Sequence, residues 1–273
     1  MKLLVAPALL VALAVGCTAS YQGPVPAKQR ARFEYSRTRF PIGDTSVFVL
    51  GFQHLKSAPT FLNVHDDENT SVEAGKAVLE ETSGRLIELA HGGSRHLQFS
   101  VSGGQFAVDP NRIYSDAGIR ATLERQGDYS SAAHWAVKQF ARKFLERFNL
   151  RREPVIVALH NTVDGNYSIE SYRPGAQHAA AVADLFISPN RNRYDFFYVT
   201  DRRFFDYLKQ RDFNVILQDN AAVPDDGSLS VYFSKKSIPY LNIEAELGQF
   251  DRQVEMVRTA REMLDKLGVV KSR

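Results

Sequence analysis

The sequence predicts an α/β fold, a single domain in which a largely parallel mixed central sheet carries helices on both faces. Strand-like apolar segments alternate with helical segments along the chain, an order typical of parallel sheets. The segment 154–159, PVIVAL, is apolar without alternation, as expected of a central strand that is covered on both faces. No internal repeat and no interdomain linker is evident in the 273 residues.

The individual strands are predicted from short runs of β-branched, aromatic and other apolar residues. In chain order they are 46–52, 60–64, 85–90, a hairpin of 97–101 and 105–108, 154–159, 196–200, 214–217, 229–233 and 238–244. Helices are predicted at 72–81, 130–149, 201–211 and 249–266. The clearest is 130–149, where Ala133, Val137, Phe140 and Phe144 recur at helical spacing.

Composition indicates a folded chain and argues against a nucleic-acid partner. Apolar residues make up 44% of the chain and include 18 Phe, enough for a sizeable core. Charged residues make up an ordinary 24%, and the formal net charge of +3 is too small to predict nucleic-acid binding.

The amino terminus has the pattern of an export signal. Lys2 precedes an apolar run at 3–15 that is too short to span a bilayer and has the length of a signal-peptide core. The run ends in Leu-Ala-Val-Gly-Cys at 13–17, which resembles the lipobox of bacterial lipoproteins, where the cysteine is acylated after cleavage. Cys17 is the only cysteine, so no intramolecular disulfide can form. The alternative is an ordinary secretory signal cut near the same point.

These features predict three segments and a location. Residues 1–17 form the signal peptide, and 18–32, rich in Pro, Gly, Ser and basic residues, form a flexible tether. Residues 33–273 form one folded domain. Thr18 stands where an inner-membrane retention signal has Asp, so the lipid anchor is expected to hold the protein to the outer membrane, rather than the inner, facing the periplasm.

A His-x-x-Glu pair lies at a predicted strand-to-helix turn. His65 and Glu68 follow the strand 60–64. Imidazole nitrogen and carboxylate oxygen both suit Zn²⁺, and a third protein ligand would complete a catalytic site with a position left for water. The alternative is an acidic helix start, where carboxylates favour the helix dipole.

Two further ionisable residues are predicted at the ends of other strands. His160 follows the strand 154–159, and Glu244 ends the strand 238–244. Ligands of open α/β sheets gather beyond the carboxyl ends of strands. We therefore expect His65, Glu68 and His160 to bind one Zn²⁺ per chain, although a lone strand-end histidine such as His160 can also be a buried core residue.

At this point the sequence resembles the zinc carboxypeptidase superfamily, and most closely its branch of succinylglutamate desuccinylases and aspartoacylases. The resemblance covers about residues 46–248. The motifs that carry it, in order, are His65-Asp66-Asp67-Glu68, Asp109-Pro110-Asn111-Arg112, Leu159-His160-Asn161-Thr162 and the strand that ends at Glu244. Asp66 departs from the family pattern, which commonly has a small residue there.

The resemblance implies a role for the late glutamate. Glu244 would accept a proton from the attacking water and pass it to the leaving amine. Glu246 is the alternative base, because side chains two apart in a strand point the same way.

It also implies how substrate is held. Arg112 would bind a substrate carboxylate through its planar fork, assisted by Asn111, and Asn161 would also contact substrate. Arg95, the basic residue upstream of the Asn-Arg pair, would polarise the scissile carbonyl.

Three functions remain open from the sequence. The favoured one is an exported zinc hydrolase, a carboxypeptidase or amidase acting beside a substrate carboxylate on peptides such as those of the cell wall. The second is a deacylase of small N-acyl amino acids, a reaction usually found in the cytoplasm. The third is a non-catalytic envelope lipoprotein that binds peptides.

Overall fold

A nine-stranded mixed sheet forms the centre of the molecule. The computed structural model describes residues 33–55, 58–163 and 167–270. The strands are β1 Glu34–Ile42, β2 Thr45–His54, β3 Thr60–Asn63, β4 Gly84–Ala90, β5 Leu97–Val101, β6 Gly104–Val108, β7 Ile156–Thr162, β8 Val182–Phe186, β9 Phe196–Val199, β10 Val215–Gln218 and β11 Tyr240–Glu246. The helices are α1 Asn69–Glu81, α2 Asp116–Gln126, α3 Ser131–Arg147, α4 Arg202–Lys209, α5 Leu229–Ser234 and α6 Phe250–Lys266.

The parallel part of the sheet lies at its centre. The strand order is β1-β2-β4-β3-β7-β11-β9-β10-β8, and β5 pairs with β6 in a separate hairpin. Neighbouring strands in the group β4, β3, β7 and β11 are parallel. β1 and β2 extend one side by antiparallel pairing, and β9 joins β11 antiparallel on the other. The predicted α/β fold, with a mixed sheet and helices on both faces, is confirmed.

Helices cover both faces because the central strands carry apolar side chains on both. One core contains Phe61, Val157 and Leu241 from the sheet and is covered by α1, α4 and α6. The opposite core contains Leu62 and Ala158 and is covered by α2, α3, α5 and the β5–β6 hairpin. Burying each large apolar side chain stabilises the fold by about 1.5–3 kcal/mol.

Helix α1 approaches the sheet closely at Gly75. A Cβ atom there would lie 2.6 Å from Cδ1 of Leu159 and 2.9 Å from Cδ1 of Leu86. Because the helix begins immediately after Glu68, this close packing places Glu68 over the carboxyl ends of the central strands.

Several elements differ from the prediction. Residues 229–233, predicted as a strand, belong to helix α5, whose start is capped by the Ser228 hydroxyl. β1, β8 and α2 were not predicted. β7 continues through His160 to Thr162, and β11 continues to Glu246, so these site residues lie inside strands near their carboxyl ends.

The predicted signal peptide, the lipobox with Cys17 and the tether at 18–32 lie outside the described residues. Within 33–55, 58–163 and 167–270, none of the helices combines the length and the apolar character needed to cross a bilayer.

Candidate metal centre

Two local structures bring the three predicted ligands together. His65 and Glu68 lie on the turn between β3 and α1, where the Glu68 N–H donates to the His65 carbonyl at 3.2 Å. Asn63 ties this turn to the next strand, since its amide donates to the Leu159 carbonyl at 3.2 Å. His160 follows Leu159 directly, so the histidine of β7 is held beside the turn.

The donor atoms of the three residues converge in a buried cluster. Nδ1 of His65 lies 3.0 Å from Oε1 of Glu68 and 3.1 Å from Nδ1 of His160. Nδ1 of His160 lies 2.8 Å from Oε2 of Glu68. The three side chains are at most 3% exposed. His65, Glu68 and His160 thus form a candidate metal site.

The chemistry of this donor set fits a small tetrahedral cation. A tetrahedral ion with bonds of about 2.0–2.1 Å separates its donor atoms by about 3.3 Å, close to the spacing found here. Nε2 of His65 lies 2.9 Å from Oδ1 of Asp109. Because a carboxylate only accepts, Nε2 carries a proton, so that whenever the ring is neutral its lone pair is at Nδ1. Two acceptors, Nδ1 of His65 and the Glu68 carboxylate, then face each other in a buried space, which requires a cation or a proton between them.

The pKa shifts of His65 and Glu68 also indicate that the cluster favours a bound positive charge. Burial disfavours the charged ring of His65, but Glu68 and Asp109 outweigh burial and raise its pKa to about 9. Burial likewise opposes ionisation of Glu68, yet His65 and His160 hold the pKa of its carboxyl well below the ordinary value. The carboxylates therefore remain charged and attract a cation to this point.

Glu244 lies beside the cluster. β11 is parallel to β7 and pairs Glu244 with His160, so the two side chains leave the same face of the sheet one strand apart. Thr162 donates to one carboxylate oxygen of Glu244 at 3.3 Å, and Asn242 donates to the other at 3.2 Å. Burial raises the pKa of Glu244, with His160 opposing the rise and Glu68 adding to it.

Glu246, the alternative base, is engaged elsewhere. Its side chain accepts from Asn192 at 3.2 Å, and its backbone N–H donates to Asp195 at 3.2 Å. Across the strands Glu246 pairs with Thr162, two residues further along than the pair of Glu244 and His160. The structure therefore places Glu244, rather than Glu246, beside the predicted ligands.

Arg95 reaches the ligand set from a glycine loop. Its Nη1 donates to Oε1 of Glu68 at 2.8 Å, and its side chain is 46% exposed. The loop is held by Asp66, whose Oδ2 accepts three successive backbone N–H groups, from His91, Gly92 and Gly93, at 2.6, 2.6 and 2.7 Å. The unusual Asp66 of the first motif thus anchors the loop that carries Arg95.

The Asp-Pro-Asn-Arg segment joins the site through its aspartate. Asp109 contacts His65, and it also accepts the backbone N–H of Asn111 at 2.8 Å. The side-chain oxygen of Asn111 accepts the N–H of Leu229 at 3.1 Å, which ties the segment to the start of α5. Arg112 follows, partly exposed, with Nη1 3.5 Å from Oδ2 of Asp226.

Asn161, predicted to bind substrate, is not brought to this site. It is buried and paired in register with Ala245, so it faces away from His160 and Glu244. Its oxygen accepts the N–H of Ser71 at 2.9 Å, and its nitrogen donates to Gln253 at 2.7 Å. These contacts join β7 to α1 and α6, which is a structural role.

Sequence reasoning missed several residues of the site. Tyr167 and Tyr172 are hydrogen-bonded to each other. Burial is the largest cause that raises the pKa of each, and the charge of Glu244 adds to the rise while that of Arg112 opposes it. The other missed residues support a group already named: Asp66, Thr162, Asn242 and Asp226. Asp66 and Thr162 stand in the quoted motifs but were given no role, and the departure of Asp66 from the family pattern was the signal that could have found it.

No protein-family model matches the chain, and no curated protein sequence matches it. Solved structures do match over most of its length. A metallo-carboxypeptidase from Burkholderia cenocepacia has 11% identity and a TM-score of 0.48, with 88% of this chain and 67% of that chain covered.

Two further solved structures match over similar lengths. The murein-tripeptide amidase from Escherichia coli O157 has 12% identity and a TM-score of 0.44, with 87% and 95% covered. An aspartoacylase family protein from Mesorhizobium loti has 13% identity and a TM-score of 0.40, with 88% and 68% covered.

The fold and the donor set together define the class of site. A buried His, Glu, His set lies near the carboxyl ends of parallel strands, with a carboxylate and an arginine beside it. This arrangement is that of a candidate metal-dependent hydrolase.

Proposed function

We propose that this protein is an exported zinc-dependent hydrolase that cleaves an amide or peptide bond next to a substrate carboxylate, as a carboxypeptidase or amidase. One observation carries the proposal: the donor atoms of His65, Glu68 and His160 converge while Glu244 leaves the neighbouring strand in register with His160. Zn²⁺ held by these three residues would polarise the scissile carbonyl and lower the pKa of water toward about 7.

The residues of the chain then have separate tasks. Glu244 accepts the proton of the attacking water and returns it to the leaving nitrogen, and Thr162 and Asn242 keep its carboxylate in place. Arg112 binds the substrate carboxylate: Nη1 contacts Asn111 and Asp226, while Nε and Nη2 have no partner among the described residues. Arg95 stabilises the developing oxyanion from its position above Glu68.

The proposal extends to the location of the protein. The apolar segment at 3–15 followed by Cys17 supports an acylated lipoprotein of the bacterial envelope, held to the outer membrane and facing the periplasm, where peptide substrates occur. In the native host, Cys17→Ser should abolish lipid labelling, and labelling that persists in this variant would refute the anchor.

The test of function combines metal analysis with hydrolysis. Purified protein lacking the signal peptide should contain about one zinc per chain and should hydrolyse peptides with a free carboxylate in preference to their amidated twins. His160→Ala should lose both the zinc and the activity. His96→Ala is the matched control, since it removes a nearby histidine outside the donor set, and should retain both.

The results separate the alternatives. Activity confined to N-acyl amino acids would make the protein a deacylase. Zinc and peptide binding without turnover would make it a binding protein. Retention of one zinc with unchanged affinity in His160→Ala would show that the ligand assignment is wrong.

A further inference from the structure

The carboxylate-binding arginine of the proposed function has an acidic neighbour. Oδ2 of Asp226 lies 3.5 Å from Nη1 of Arg112, and the two side chains are 46% and 34% exposed. A cationic fork and an anion are therefore presented side by side, and both remain accessible to a substrate. A pocket that only had to bind a carboxylate would be weakened by this anion, because like charges repel.

The fold holds Asp226 in this position. Oδ1 of Asp226 accepts the N–H of Ser228 at 3.0 Å, and the carbonyl of Gly227 accepts the N–H of Tyr114 at 2.9 Å. Gly227 has φ +75°, and a Cβ atom there would lie 2.5 Å from the Arg112 carbonyl oxygen. The loop is thus packed against the backbone of Arg112 itself, so the acid and the arginine keep a constant spacing.

A second acceptor lies on the face of the sheet that carries Glu244. Asn242 shares this face because side chains two apart in a strand point the same way. Its nitrogen donates to Glu244, but its Oδ1 is buried and has no hydrogen-bond partner among the described residues. A buried acceptor without a donor is unfavourable by itself, and a donor from the substrate would satisfy it.

Aromatic side chains connect these two acceptors. Tyr198 is paired directly with Asn242 across the strands, and its ring lies 5.5 Å from that of Tyr172. Asp226 and Arg112 both act on the two tyrosines: burial is the largest cause that raises the pKa of each, and Asp226 adds to the rise while Arg112 opposes it. The two tyrosines thus lie within electrostatic range of the charged pair, and one of them is the cross-strand neighbour of Asn242.

We propose that Asp226 makes the site specific for substrates whose leaving residue carries an ammonium group as well as a carboxylate, that is, a basic or diamino acid. This inference rests on the proposed function. Arg112 binds the carboxylate of the leaving residue, and Asp226 binds its ammonium, with Oδ1 of Asn242 as a further acceptor. A leaving residue with no side-chain donor satisfies neither acceptor, a neutral donor forms no ion pair with Asp226, and an acidic side chain is repelled by it.

The experiment compares peptides that differ only in the ammonium. Each pair has one body and ends either in diaminobutyrate, ornithine or lysine, or in the same residue with its side-chain amine acetylated. The zinc-loaded protein should show a kcat/KM about tenfold to hundredfold higher for the free amine in at least one pair, the effect of one partly shielded ion pair.

Substitution then assigns the preference to Asp226. In Asp226→Asn the amide oxygen can still accept from Ser228, so the loop should keep its structure. The variant should lose the preference through a fall in kcat/KM for the free amines alone. Asp225→Asn is the matched control, since Asp225 is paired with Lys235 at 2.7 Å, and should retain the preference.

The outcomes distinguish this inference from the proposed function. Hydrolysis of both members of every pair at equal kcat/KM overturns the proposed role of Asp226 but remains consistent with the proposed hydrolase function. An equal loss for both members in Asp226→Asn also overturns it, because Asp226 would then only orient Arg112. Zinc-loaded protein that hydrolyses no carboxylate-bearing peptide refutes the proposed function, and the inference with it.

Discussion

Single side chains decide which carboxylate can act as a base. Glu244 and Glu246 share a strand and a face, yet only Glu244 is opposite His160 and has both oxygens held by neighbouring donors. Glu246 is turned to Asn192. A difference of two residues along β11 therefore separates the candidate base, Glu244, from Glu246, whose contacts are structural.

The two glutamates give a matched pair of variants. Glu244→Gln should keep the fold, the zinc and the affinity for substrate, because the amide is nearly isosteric with the carboxylate. Its kcat should fall by about 10²–10⁴, since it no longer accepts a proton. Glu246→Gln should retain wild-type kcat. The reverse pattern in steady-state kinetics would move the base two residues along β11, and full activity in both would remove this mechanism.

The sequence predicted the ligands better than the residues around them. His65 and Glu68 form a local motif, and His160 follows an apolar strand whose end could be located. The pairing of Arg112 with Asp226 depends on a loop from a distant part of the chain, and nothing in the local sequence marks it. Asn161 was assigned to substrate with the Leu-His-Asn-Thr motif, but adjacent residues of a strand face opposite ways, and Asn161 faces away from His160.

At the scale of elements, the glycine loop at 91–96 depends on one acid. A single oxygen of Asp66 accepts three backbone N–H groups, and the loop then delivers Arg95 to Glu68. Hydrogen bonds to a charged acceptor are stronger than those to a neutral amide.

Asp66→Asn should therefore loosen the loop. We expect a loss of about 1–3 kcal/mol in the free energy of unfolding, and a fall of about tenfold to hundredfold in kcat as Arg95 loses its position. Asp67→Asn removes the same charge nearby and should have a smaller effect on kcat. In an Arg95→Ala background, Asp66→Asn should cause little further loss. An undiminished effect there would show that Asp66 does not act through Arg95.

The central strands of the large sheet were predicted, and its two edge strands were not. β3, β7 and β11 are buried, so their sequences are strongly apolar. β1 is an edge strand and mostly exposed, and the other edge strand, β8, is only partly buried, so neither requires a recognisable apolar pattern. In α5, Leu229, Val231 and Phe233 are buried in alternation. This short helix therefore imitates the period of a strand, which explains the wrong prediction at 229–233.

For the whole molecule, Glu88 should make stability depend on pH. Burial raises the pKa of Glu88 to about 7, with Lys76 opposing and Asp66 and Glu73 adding to the rise. Because the pKa of Glu88 in the folded state lies above its ordinary value, the folded state favours the protonated carboxyl. This contribution to the free energy of unfolding is fully present at low pH and is lost as pH rises through about 7.

Glu88→Gln should remove this loss. At pH 8 the variant should exceed the wild type by about 1–3 kcal/mol in the free energy of unfolding, and the difference should shrink toward pH 5. Urea titrations at several pH values would measure it. Glu124→Gln, at an exposed glutamate of α2, is the control and should change the free energy of unfolding by less than about 1 kcal/mol at each pH. A constant difference for Glu88→Gln across this range would contradict the assignment.

The direction of β1 determines which corner of the domain the predicted tether would join. β1 is antiparallel to β2, which is antiparallel to β4, so β1 runs the same way as the central strands. The chain thus enters the sheet at Glu34, at the amino end, while the donor cluster lies near the carboxyl ends and four strand spacings, about 19 Å, to the side. A lipid on Cys17 would therefore join the domain, through the predicted tether at 18–32, at a corner of the sheet remote from the donor cluster, so that the point of attachment itself would not obstruct peptides that enter the site.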